Sequence, residues 1–386
     1  MVDLEGSEGS AMRRKRAPKI AALVIALGSL GGACAAPKTV FPGYLYVLAG
    51  GNIVEITNEG ATTVRSDVRT AAISPDGAYL LLAEGGKTVL LKAETNEAKT
   101  LADRPARRLG WNADGSRFFL VTDPETNQLE VGDRQGNLTI LYRGPHRPVA
   151  TEGSEPSTLY GEISGCLFVD SNRLVFSAYE GVISPGRADQ DLSANRAFMI
   201  DLAAPEAGLT STKFPEGEIW RFTSVDPQTG LMLVVVGNKQ TGAIRPYLCP
   251  PFTDWEDLSF AVPVPGTFFQ SANGAFSVAF ETGQGRACGL TVTTDARQKS
   301  KAVFTVYDDE TQTAEAGPDA GWGDNILGPA IHPDGGAAAA LVYEWAKEWR
   351  VVHMDLAAGT SRTVWTRPAA KDAPPGTDDA ILIWMR

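Results

Sequence analysis

Ala72-Ile73-Ser74-Pro75-Asp76-Gly77 runs directly into Ala78-Tyr79-Leu80-Leu81-Leu82-Ala83, and the pattern returns twice further along the chain. Gly110-Trp111-Asn112-Ala113-Asp114-Gly115 leads into Ser116-Arg117-Phe118-Phe119-Leu120-Val121. Ala330-Ile331-His332-Pro333-Asp334-Gly335 leads into an alanine run and then Leu341-Val342-Tyr343. Looser copies stand at Val169-Asp170-Ser171-Asn172, Val225-Asp226-Pro227 and Ser271-Ala272-Asn273-Gly274. Each copy reads as strand, tight turn, strand, because Pro-Asp-Gly and Asn-Gly supply the backbone angles a turn needs between two apolar runs. Self-similarity at spacings of tens of residues is the signature of a repeat architecture.

Outward from each copy, two more short strands are expected. Thr88 to Ala93 and Lys99 to Leu101 follow the first copy, Gln128 to Gly132 and Leu138 to Tyr142 the second, and Val351 to Asp355 and Thr363 to Trp365 the last. No long amphipathic helix interrupts them. Four short antiparallel strands per unit describe the blades of an all-β propeller. Innermost strands are expected near 69–74, 106–112, 161–169, 219–225, 266–272, 325–331 and 380–386. The last has no partner strands after it, and Tyr44 to Leu48 and Ile53 to Ile56 have no inner strand before them. Together they make one blade that joins the two ends of the chain and leaves no sheet edge open. The expectation is a single propeller over 44–386 with seven four-stranded blades of about 50 residues, six being the alternative.

Repeats of the form [AG]-[IFW]-[SNH]-P-D-G followed by an apolar strand resemble the TolB-type and related WD-like propeller repeats of bacterial exported proteins. The resemblance covers most of residues 44–386 and implies the fold. It also implies binding of envelope proteins rather than catalysis, although the strands are expected to begin at Tyr44, too close to Cys34 for a TolB-like helical domain to lie between them. One scaffold of this kind carries many unrelated activities, so function has to be read from a site.

Propeller geometry places the connections between second and third strands, and between blades, on one face, called upper here, and the Pro-Asp-Gly turns on the other. The long connections Arg143 to Tyr160, Tyr179 to Asn195, Thr282 to Ser300, Gly317 to Asp324 and Arg367 to Asp379 all fall on the upper face in this reading. Insertions gathered on one face of a repeat array mark a binding face, or drift in loops that tolerate length change. Second strands end at Glu84, Asp123, Glu180, Glu281 and Glu344, and Asp324 stands where an inner strand begins. Tyr179, Trp322 and Trp345 lie among these carboxylates. Acids and flat aromatics around a channel mouth suit a basic peptide, a sugar or a metal ion, or they form a solvated rim.

Composition narrows the chemistry. The 386 residues carry 35 Lys+Arg against 46 Asp+Glu, a net charge of −11, which argues against a nucleic-acid partner. Three histidines and four cysteines leave little for a zinc site or a disulfide framework. His332 occupies the Ser74 position of the repeat and reads as a turn residue. No G-x-S-x-G, H-E-x-x-H, P-loop or dinucleotide fingerprint occurs.

The N-terminal stretch gives an address. Arg13-Arg14-Lys15-Arg16, an apolar run from Ile20 to Leu30 and a small-residue segment read as a secretory signal over 1–33, with Met12 a candidate start. The apolar run is shorter than the roughly 20 residues a permanent span requires. Gly31-Gly32-Ala33-Cys34 resembles a bacterial lipobox, which implies cleavage before Cys34 and a lipid on it. Ordinary cleavage after Ala35 is the alternative. Residues 34–43 would then be the linker from the anchor. Removing 1–33 takes away five basic and three acidic residues and leaves a net charge of −13, so attachment would rest on acyl chains rather than on charge. Cys166, Cys249 and Cys288 remain, enough for one disulfide or for three buried thiols.

The expected function is a non-catalytic lipoprotein of the cell envelope whose upper face binds a protein or other envelope ligand, with no cofactor. The alternative is an exported hydrolase or lyase that uses upper-face carboxylates, with or without a divalent cation.

Overall fold

The computed structural model describes residues 44–122, 127–144, 146–149, 157–183, 191–214, 218–225, 230, 232–238, 241, 244–249, 262–263, 278–281, 286–294, 297, 299–308, 313–332, 336–369 and 381–385. Seven small antiparallel sheets form a ring, a seven-bladed β-propeller. The inner strands, in ring order, are Ile381–Met385, Val68–Ile73, Ala106–Trp111, Ser157–Phe168, Glu218–Val225, Val278–Glu281 and Asn325–Ile331. Each touches the inner strands on both sides of it. We number the blades 1 to 7 in that order.

Blade 1 is the closure expected from the two chain ends: Ile381–Met385 pairs antiparallel with Tyr44–Ala49, Leu45 facing Trp384. Backbone pairing therefore fastens the last strand of the chain to the first and completes the ring.

Side-chain alternation explains how each blade serves two neighbours. Phe118 packs into the cluster between blades 2 and 3 with Leu81 and Leu90, whereas Phe119 packs between blades 3 and 4 with Phe168 and Phe176. In blade 7, Ala339 and Leu341 face blade 1 while Ala338, Ala340 and Val342 face blade 6. Successive residues of a strand point to opposite faces, so a strand covered on both sides reads as an unbroken apolar run. Outer strands lie against solvent and are polar, as in Ala61–Ser66 and Glu97–Ala102. Close packing also sets where no side chain fits: a Cβ on Gly132 would run into the buried Phe118 ring.

The repeat motif forms the lower turns. The backbone N–H of Ser74 donates to the Tyr79 carbonyl at 2.9 Å, that of Asn112 to Arg117 at 3.0 Å, and that of His332 to Ala337 at 2.9 Å. All three side chains are buried, so His332 holds a turn position, as its place in the repeat implies. Asp76 Oδ1 accepts Ser74 Oγ and the Ala78 N–H, and Asp114 Oδ1 accepts the Ser116 N–H. Asn112 Nδ2 also reaches the Ser171 carbonyl of blade 4 at 2.9 Å, which ties adjacent turns together. The turns at 226–227, 271–274 and 333–335 lie outside the described residues.

Two blades depart from the expectation. Blade 4 has five strands, because His146–Val149 pairs with Ser157–Phe168 where a connection was expected, and Arg173–Ile183 and Asp191–Asp201 extend the same sheet into the expected 179–195 loop. In blade 6 the inner strand is Val278–Glu281, and the second and third strands are Arg286–Thr294 and Ser300–Asp308. The stretch expected to connect strands two and three thus contains the second strand itself. The stretch Gly317 to Gly323 belongs to the outer strand Thr313–Gly323, where an edge position tolerates Pro318. The expected inner strand at 266–272 lies outside the described residues, as do the signal, Cys34 and the linker.

Candidate functional site

Inner strands run from the upper to the lower face, so the ends of second strands and the starts of inner strands meet above. At the junction of blades 6 and 7 this brings four of the candidate residues together. Trp322 lies in the outer strand of blade 6, opposite Lys301. Asp324 is the single residue leading into Asn325–Ile331. Glu344 ends the second strand of blade 7, and Trp345 opens the turn that follows. The Trp345 N–H donates to Asp324 Oδ2 at 2.6 Å, and the Asp324 N–H donates to the Tyr343 carbonyl at 2.8 Å. Arg350 donates to the Trp322 carbonyl. The two indoles are held by their backbones and left 44% and 50% exposed. Lys301 lies 5.9 Å from the Trp322 ring centre and pairs with Asp319 at 2.5 Å.

Glu344 is the electrostatic centre of this patch. Its carboxylate accepts Lys347 at 2.8 Å and Lys299 at 2.9 Å, with Arg350 at 3.8 Å. The hydrogen bonds from Lys347 and Lys299 hold its pKa below the ordinary glutamate value. It is an ionised anchor for three cations, and these occupy the oxygens that a metal or a substrate proton would need.

Glu84 sits apart, in a cleft of about 490 Å3 between blades 1 and 2, with Asp67, Arg65 and Lys87 around it. Other acids near the rim already have partners: Arg107 pairs with Glu162, and Trp220 Nε1 donates to Glu218 at 2.9 Å. Tyr179 and Glu180 lie within the long second strand of blade 4, opposite Glu162 and Gly161, and their side chains fall outside the described residues. Glu281 ends an inner strand, which puts its backbone at the lower end of blade 6 rather than the upper. Asp123 is outside the described residues.

The described thiols and imidazoles are structural. Burial pushes the Cys166 thiol well up and the Cys249 thiol up to about 12, and both cysteines are free. Cys166 lines an apolar cavity of about 330 Å3 at the lower ends of the inner strands with Leu109, Trp111 and Val225. Burial and then Arg362 push His353 down, which keeps it neutral in the core of blade 7. Among the described residues no three His, Cys, Asp or Glu side chains converge as metal ligands.

Lys299, Lys301, Lys347 and Arg350 were not singled out in sequence, because isolated basic residues in strands and turns read as solvated surface. The turn Glu344-Trp345-Ala346-Lys347 was the available signal: a tryptophan in a tight turn has no core to enter.

No family model matches the chain, and no curated protein matches it. Solved structures do. An oligogalacturonate lyase in complex with manganese is 14% identical at a TM-score of 0.52, over 83% of this chain and 83% of that one. Dipeptidyl peptidase 4 of Porphyromonas gingivalis is 10% identical at 0.51, over 83% of this chain and 58% of that one, so this chain spans little more than half its length. TolB from Acinetobacter baumannii is 12% identical at 0.44, over 89% and 67%. The likeness is one of fold. The propeller supports non-catalytic proteins and enzymes alike, so these neighbours leave activity open.

Proposed function

We propose that the protein is an exported, non-catalytic binding module of the cell envelope, anchored by a lipid on Cys34, whose upper face receives a protein partner. The observation that carries this reading is the pair of half-exposed indoles, Trp322 and Trp345, whose backbones are held by hydrogen bonds beside Arg350 and a locally neutralised charge network. Tryptophan and arginine dominate binding energy at protein interfaces, and a backbone already held in place lowers the entropy lost on docking. The acidic net charge favours a partner with a basic contact surface. The hydrolase or lyase alternative draws no support from the described residues, where Glu344 is bound by lysines and no metal-ligating cluster forms.

Quantitative affinity capture from the native envelope, wild type against Trp322→Ala/Trp345→Ala, tests the binding. A partner should be recovered by the wild type and bind the variant about 30-fold more weakly, the factor for losing about 2 kcal/mol of hot-spot energy. Recovery of every envelope protein equally by both would sink the binding reading. Mass spectrometry of the mature N-terminus tests the anchor: a diacylated Cys34 is expected, and a free N-terminus at Ala36 would overturn it.

A further inference from the structure

The junction between blades 1 and 2 differs from the next one in what fills it. Between blades 2 and 3 the connection Asp103-Arg104-Pro105 puts Arg104 into the groove, where it bonds Gln128 Oε1 at 3.2 Å and the buried Glu130 carboxylate. Strand register makes Lys87 and Val89 of blade 2 the counterparts of Gln128 and Glu130, since Val89 faces Leu82 as Glu130 faces Leu120. Yet the connection into blade 2 is the single residue Asp67, in a left-handed conformation (φ 59°), and it brings no arginine. The outer strands carry a further contrast. Each of four has one bulged apolar residue, Val64, Leu101, Leu141 and Val364. The last three pack against the core between blades, whereas Val64 is 40% exposed. The result is the 490 Å3 cleft, inside the range of ligand sites, about 300–1,000 Å3.

Its charges are unevenly satisfied. Arg65 donates to Asn96 at 2.7 Å, and Lys87 lies 3.5 Å from Asp103. The Asp67 and Glu84 carboxylates have no hydrogen-bond or ion-pair partner among the described residues.

We propose that this cleft is a second binding site, a receptor for a basic side chain, arginine or lysine, presented by a partner peptide. The aliphatic stem lies along Val64 and Val89, and the charged head bonds Asp67 and Glu84, a different pair of acceptors from the Gln128 and Glu130 side chains on which Arg104 closes the neighbouring groove. The site is separate from the tryptophan patch and does not depend on it.

Titrating isotope-labelled protein with N-acetyl-arginine methylamide, and with the citrulline analogue as an uncharged match, tests this through amide chemical shifts. Saturable shifts are expected at Val64, Asp67, Gly85 and Gly86, with citrulline binding at least fivefold more weakly. Asp67→Asn/Glu84→Gln should weaken arginine binding at least tenfold. Asparagine tolerates the left-handed conformation, so the fold is kept, and an unchanged spectrum elsewhere verifies it. Trp345→Ala should leave the titration unchanged, which separates this site from the proposed function above. Shifts that never saturate, that are equal for citrulline, or that survive the double substitution would overturn the proposal.

Discussion

Trp345 donates its backbone N–H to the carboxylate of Asp324, 21 residues earlier, at 2.6 Å. The bond joins the turn leaving the second strand of blade 7 to the residue that enters that blade. Asp324→Ala should lower stability by about 1 kcal/mol, the net value of such a hydrogen bond. Asp324→Asn, which keeps an acceptor, should restore most of it in urea unfolding. Equal losses for both variants would show that the charge, not the hydrogen bond, matters.

Glu130 is 3% exposed and held by Arg104. Arg104→Met leaves a buried carboxylate without its cation and should cost about 3–5 kcal/mol. Adding Glu130→Leu should recover most of that loss, because the desolvated charge goes with it. A double variant as unstable as the single one would place the cost in packing instead. Calorimetric unfolding distinguishes the two.

Acid should unfold the propeller from its lower turns. Burial alone would raise Asp76, but hydrogen bonds from Ser74, the Ala78 N–H and Arg134 outweigh it and hold the group below the ordinary aspartate value. Asp114, Asp133 and Asp170 are likewise depressed: burial opposes the shift in each, and hydrogen bonds to neighbouring side chains and backbone N–H groups win. A carboxylate depressed in the folded state contributes stability that is complete above its unfolded value and is lost as pH falls through the folded one. Stability measured by denaturant should therefore be level near neutrality and fall below about pH 4. Asp114→Asn should make that fall shallower.

Cys166 and Cys249 should resist alkylation in the folded protein at pH 8. With its thiol pushed up to about 12, Cys249 offers almost no thiolate there, and the thiolate is the reactive form. Site-resolved mass spectrometry should find both modified only when the protein unfolds. Rapid labelling of either under native conditions would mean that its blade opens locally.

The lower face was legible from residues such as Ser74, Asn112 and His332, because turn chemistry is local: three or four neighbouring residues determine it. The closure of Ile381–Met385 on Tyr44–Ala49 was legible too, since an unpaired strand at each end has one economical solution. Blade 6 was misread. Val278-Ala279-Phe280 follows the loose turn copy Ser271-Ala272-Asn273-Gly274 and so reads as a second strand, but a short apolar run by itself does not announce whether it is innermost or second in its sheet. The fifth strand of blade 4, His146–Val149, is four residues long and contains a proline, which an edge strand accommodates, so it carries no alternating pattern to set it apart from a connection.

By itself the sequence determined the repeat, the strand–turn–strand units, the all-β class and the joining of the chain ends, all consequences of turn residues and of the period-2 burial of strands. Only the tertiary structure decided which acids carry charge into solvent and which are already bound. Glu344 and Glu84 look alike in sequence, each ending a second strand before a tight turn. Glu344 meets Lys299 from the neighbouring blade and Lys347 from its own turn, whereas Glu84 faces a groove whose own cations, Arg65 and Lys87, are turned to Asn96 and Asp103. Partners separated by 45 residues meet only when blades pack side by side, so the chemistry of the upper face belongs to the ring and not to any one repeat.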